Sequence, residues 1–90
     1  MTSMMQNVKM AKSKSHKNNL KSIRQSEGIN KAKLAREADV SERHISRIEA
    51  EEVTPLIETA NRIKNAINKL KTSNKQDYTL NEIFPYRKDN

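Results

Sequence analysis

Ninety residues with 33% apolar content, three aromatics and no Trp allow one small domain with a modest aliphatic core, and no separate sensor or catalytic domain is expected within them. The lack of cysteine excludes disulfides, thiolate metal sites and a Cys nucleophile, in keeping with a reducing cytoplasm, and no apolar run reaches the length of a membrane span or signal peptide. A net charge of +7 points to a polyanionic partner, and the placement of that charge says more than its total.

Residues 1–17 are rich in Ser, Lys, Asn and Gln without apolar periodicity, so they read as a flexible basic arm. The front of the chain holds Lys9, Lys12, Lys14, Lys17, Lys21 and Arg24 and no acid before Glu27. Taken alone, that charge fits a phosphate-neutralising arm and a solvated leader equally well. Leu20 and Ile23 then open a short amphipathic helix, which Gly28, the only glycine, should stop. Asn30 is a good N-cap for a second helix over 31–38 that buries Leu34, Ala35 and Ala38. After only Asp39, Val40 and Ser41, Ser41 caps a third helix from Glu42 to about Ala50, burying Ile45 and Ile48 against Val40.

Thr54 and Pro55 signal a fourth helix, because Pro suits a first turn and excludes the residue before it from the helical region. Leu56, Ala60, Ile63, Ile67 and Leu70 form its apolar stripe, and the polar run KTSNKQD ends it. Thr79 caps a last short turn, LNEIF, whose Leu80, Ile83 and Phe84 can close the bottom of the core before Pro85. Residues 86–90 are left as a tail. With no strand pattern and no internal repeat, the chain reads as all-α, a compact five-helix domain over 18–85.

The stretch DVSERHISRIE, residues 39–49, combines two demands on one short helix. Val40, Ile45 and Ile48 want a core, while Glu42, Arg43, Ser46 and Arg47 want something outside it. That pattern alone suits a plain solvated surface as well as a reading head. The three-residue connection to the preceding helix is the spacing of a helix-turn-helix, whose second helix is offered to the major groove.

The segment GINKAKLAREADVSERHISRIEAEEVTP resembles the helix-turn-helix of the phage repressor and Cro class of transcription regulators, the XRE-like family. The resemblance rests on Gly28, Leu34, Ala35, Val40, Ser41, Ile45, Ser46, Arg47, Ile48, Glu49 and Pro55 in family spacing, and extends from Leu20 to LNEIF. It implies that Glu42, Arg43, Ser46 and Arg47 meet base edges. Arg can donate twice to guanine, Glu can accept from cytosine and Ser can pair with several bases, which suits G·C-containing half-sites. The alternative of a self-paired solvated face is disfavoured, since neither Glu42 with Ser46 nor Arg43 with Arg47 is an attractive i, i+4 pair.

Lys31 stands where the family usually has a phosphate-binding Gln, and Lys33, His44 and the arm residues Lys12, Lys14 and Lys17 are the other expected phosphate contacts. Arg24 and Glu49 occupy positions that pair, partly buried, in similar repressors. The family often has Gly where this chain has Asp39 and Glu51, positions that prefer a left-handed backbone. Glu51 and Glu52 also fall in the loop where relatives contact phosphate, so the loop should turn away or the arm compensate.

The function expected from this resemblance is that of a sequence-specific regulator of double-stranded DNA, a repressor occupying a palindromic operator as a homodimer. Tyr78, Leu80, Ile83, Phe84 and Tyr86 are the expected dimer interface. The rival is an antitoxin, a module that neutralises a partner protein and autoregulates its operon. No cofactor or metal is implied, His16 and His44 lacking partners at ligand spacing, and no nucleophile and base combine into an enzyme site.

Overall fold

The computed structural model describes residues 17–85, which form five helices: α1 (Leu20–Ser26), α2 (Lys31–Ala38), α3 (Glu42–Glu49), α4 (Ile57–Leu70) and α5 (Leu80–Ile83). No strand occurs among the described residues. Three helix starts are fixed by side-chain caps. Asn30 accepts from the Lys33 amide, Ser41 from the His44 amide, and Thr79 forms a reciprocal capping box with Glu82. Gly28, at φ 69°, lets the chain leave α1 in a left-handed conformation.

The core is aliphatic and continuous. Leu20, Leu34, Ile45, Ile48, Ile63, Ile67 and Ile83 have no exposed surface, and Ile29, Ala35, Ala38, Ala60, Ala66 and Phe84 fill between them. Spacings of three and four turn Ala60, Ile63, Ala66 and Ile67 of α4 toward one side, against which α2 packs closely. The small residues Ala35, Ala38, Ala60 and Ala66 are well suited to a close approach of helices. The ends of the domain are joined by Asn19, whose amide donates to the Ile83 carbonyl (2.8 Å) and whose Nδ2 donates to the Glu82 carbonyl (2.8 Å).

Three sequence expectations are changed by the structure. Leu56 is not on the buried stripe: it is the extended N-cap residue of α4 and is 77% exposed, with Ile57 65% exposed beside it. Pro55 is buried but lies before the helix, so the first helical residue is Ile57 and the buried face starts at Ala60. Ile83 and Phe84, expected at a dimer interface, are spent on the protomer's own core.

The long connection between α4 and α5 is held by a group the sequence did not single out. Glu27, just after α1, is 1% exposed, and its carboxylate accepts from the Thr72 amide (2.9 Å), the Ser73 amide (3.0 Å), the Ser73 hydroxyl (2.8 Å) and the Tyr78 hydroxyl (2.7 Å). These bonds favour the ionised form and hold its pKa at about 2, against an ordinary 4.5, with the Tyr78 and Ser73 side chains contributing most. Asn68 completes the strap, accepting from the Tyr78 amide (2.7 Å) and donating to its carbonyl (3.0 Å).

Candidate DNA interface

The α2–turn–α3 unit is fixed by local backbone chemistry. Asp39 ends α2 in the left-handed region (φ 62°, ψ 45°), and the Val40 amide donates to the Ala35 carbonyl (3.0 Å), which reverses the chain within three residues. Ser41 then starts α3, whose Ile45 and Ile48 are fully buried. Spacing dictates the rest: Glu42, Arg43 and Arg47 are exposed or partly so, and His44 and Ser46 sit at the flanks.

The far end of α3 is clamped to α1. Arg24 Nε donates to Glu49 Oε2 and Nη2 to Oε1 (3.1 Å), with side chains only 9% and 5% exposed. Arg24 Nη1 also donates to the Ile29 carbonyl (2.9 Å). A two-pronged guanidinium–carboxylate contact fixes orientation as well as distance, so the pair sets the pose of α3 on the body.

Asn18 adds a second tie. Its Nδ2 donates to the Ile48 carbonyl (2.9 Å), its amide to Glu51 Oε2 (3.1 Å), and its Oδ1 accepts from the Leu20 amide (3.0 Å). The chain therefore enters α1 directly beside the C-terminal end of α3. An Asn two residues before Leu20 signals a local cap in the sequence. Nothing local reveals its partners some thirty residues on.

Glu51 adopts the left-handed conformation (φ 63°), as Asp39 does, and its carboxylate accepts from Asn18. Glu52 instead meets Arg47, Nε to Oε1 3.4 Å, with both side chains more than half exposed. Such a contact is weak in water. Lys31, the first residue of α2, reaches across to α3, and its Nζ donates to Ser46 Oγ (3.1 Å). Lys33 and Lys17 are exposed, while Lys12, Lys14 and Tyr86 lie outside the described residues. Tyr78 and Leu80 are half-buried against the core.

Among the described residues, no group of His, Asp or Glu side chains could hold a metal ion, and no helix is long and apolar enough to cross a membrane. No curated protein matches the chain at a significant level. A helix-turn-helix family model does match, over residues 20–72, which takes in α1 to α4 and more than half of the chain. With a buried-backed α3 set across a left-handed turn from α2, and that match over both, the chain belongs to the Cro/C1-type, XRE-like helix-turn-helix family of DNA-binding transcription regulators.

Proposed function

We propose that the protein represses transcription by occupying a palindromic operator as a twofold dimer, with α3 in the major groove. The observation that carries this reading is the division of α3 between fully buried Ile45 and Ile48 and the outward Glu42, Arg43 and Arg47. A helix backbone held this firmly is in place before binding, so less ordering cost opposes association. Arg43 and Arg47 donate to guanine, Glu42 accepts from cytosine N4, and Ser46 lies between them. Lys33, His44 and the arm residues Lys12, Lys14 and Lys17 supply phosphate contacts, whereas Lys31 is drawn to Ser46.

One such domain spans few base pairs, and a twofold pair doubles the sequence read. With Ile83 and Phe84 buried, the large apolar side chains most exposed among the described residues are Leu56 and Ile57, and Tyr78 and Leu80 are half-buried. Ile57 and Leu80 line a cleft of about 140 Å³ together with Thr54, Pro55, Ala60 and Phe84. Adjacent exposed aliphatic side chains of this size favour a protein neighbour.

Selection of bound duplexes from a random pool tests the reading. Arg43→Ala and Arg47→Ala should each weaken binding to the enriched duplex by about 1–3 kcal/mol and to random DNA far less. Equal losses on both would sink the base-reading role. The exposed Leu56 and Ile57 also suit a second reading, in which they grip a partner protein such as a toxin and the pair autoregulates its operon. Dimerisation of the purified chain that Leu56→Ser abolishes supports the first reading. A monomer that binds its own promoter only with a co-expressed partner supports the second.

A further inference from the structure

We propose that Lys31 and Ser46 form one composite base-reading unit that selects guanine, making a residue of α2 a determinant of operator sequence. The inference rests on α3 lying in the major groove. Its ground is the Nζ to Oγ contact of 3.1 Å between two half-buried residues on adjoining helices. A lysine ammonium carries three protons and no acceptor, so in this contact the Ser46 hydroxyl must be the acceptor. Its own proton is then free to turn outward. Among the described residues that hydroxyl donates to no backbone carbonyl, so the proton is not spent within the helix. The ammonium keeps two further protons. The pair therefore presents donors and positive charge.

Of the four base edges in the major groove, guanine alone offers two acceptors, N7 and O6, with no donor or methyl group beside them. Adenine sets an amino donor next to N7, thymine a methyl next to O4, and cytosine offers a donor. A pair that presents mainly donors and a positive charge is thus matched to guanine and mismatched to cytosine. Ser46 by itself would discriminate little, since a free hydroxyl can donate or accept. Lys31 narrows that ambiguity: it takes one of the two lone pairs of the hydroxyl, and its positive charge and remaining protons disfavour the approach of a base donor to the other. A lysine directed at the DNA backbone would add affinity without changing the sequence bound, and the two roles separate experimentally.

The test is selection from a random duplex pool with the full chain, Lys31→Met, Ser46→Ala and the double variant, each first shown to be helical with a cooperative melt. The wild type should enrich a consensus containing a guanine whose preference falls roughly 5- to 150-fold in each single variant, while other positions persist. The double variant should lose little more than either single one. Replacing that guanine by 7-deazaguanine, which lacks the N7 acceptor, should weaken the wild type and leave Lys31→Met nearly unaffected. Lys31→Met keeps the aliphatic stem, so it reports on the proposal even if Ser46→Ala fails to fold.

An unchanged consensus in Lys31→Met, with affinity lower on all duplexes and a shallower salt dependence, would make Lys31 a phosphate contact and overturn the proposal. If the wild type enriches no sequence at all, base reading by α3 has failed, and the composite reader falls with it.

Discussion

The Tyr78 hydroxyl donates to Glu27 Oε2 across 2.7 Å, joining the end of α1 to a residue fifty-one positions later. This bond is the leading cause of the depressed pKa of Glu27 and of a raised pKa for Tyr78. An unfolded Glu takes up its proton near the ordinary 4.5, whereas the folded Glu27 resists protonation down to about 2. Over that interval the unfolded state binds more protons, so stability present above about pH 5 should drain away as pH falls toward about 2. Tyr78 acts at the other end: the unfolded phenol ionises first, near 10, and its contribution is lost as pH rises beyond that value. Glu27→Gln should lower the urea midpoint at neutral pH and flatten its acid dependence. Tyr78→Phe should move the acid loss to higher pH. Acid profiles that superimpose on the wild type would remove Glu27 from this role.

Glu49 and Glu52 sit close in sequence and should behave in opposite ways. Removing Glu49 strands the guanidinium of Arg24, whose side chain is 9% exposed, with the Ile29 carbonyl as its one remaining partner among the described residues. Breaking a buried pair in this manner costs about 3–5 kcal/mol, a large part of the stability of a small domain. Glu52 is exposed, and its truncation should shift stability by no more than about 0.5 kcal/mol. Equilibrium urea unfolding of Glu49→Ala and Glu52→Ala separates them. Matching midpoints would show that the Arg24 contact does not hold α3 in place.

The local part of this fold was legible because its signals are local. Asn30, Ser41 and Thr79 are hydrogen-bonding residues just before apolar runs, and each caps the helix it precedes. The buried positions of α2 and α3 follow from helical spacing. What the sequence hid is long-range. Glu27 looks like a surface acid at a helix end, and its burial depends on Thr72, Ser73 and Tyr78 arriving from far along the chain. Leu56 continues a four-residue spacing with Ala60, but the extended backbone at Leu56 delays the helix and turns that side chain out. On α3, position and exposure were legible, whereas the Lys31–Ser46 and Asn18–Ile48 contacts depend on how separate elements meet.

Glu52 is expected to oppose DNA binding. Its carboxylate occupies Arg47, one of the proposed base readers, and adds negative charge to the loop after α3. Glu52→Gln should tighten binding to the enriched duplex by roughly 0.2–1 kcal/mol, the scale of an exposed ion pair. The gain should shrink as salt rises, because the charges involved are solvent-exposed. Fluorescence anisotropy at low and high salt reads both effects. Weaker binding by this variant would mean that the Arg47–Glu52 contact orients Arg47 productively.

The cations that drive association are expected to come mainly from outside the helix-turn-helix. Residues 27–54 hold five bases against seven acids, a net of −2, so α2 and α3 cannot supply the counterion release behind most protein–DNA affinity. The basic residues of α4 and the following turn are partly answered within the fold, Arg62 by Glu58, Lys69 by Glu37 and Lys71 by Asp77. Lys9, Lys12, Lys14 and Lys17 precede Asn18, which ties the chain to the C-terminal end of α3, close to the proposed groove. Deleting residues 1–17 should therefore leave helical content and melting nearly unchanged, since the core begins at Leu20. Affinity should fall on enriched and random duplexes together. The slope of log K against log salt should flatten by about 0.9 for each phosphate that the arm no longer neutralises. A truncated protein with wild-type affinity and an unchanged salt slope would reduce the arm to a solubility leader and move the phosphate-binding role to Lys33 and the start of α4.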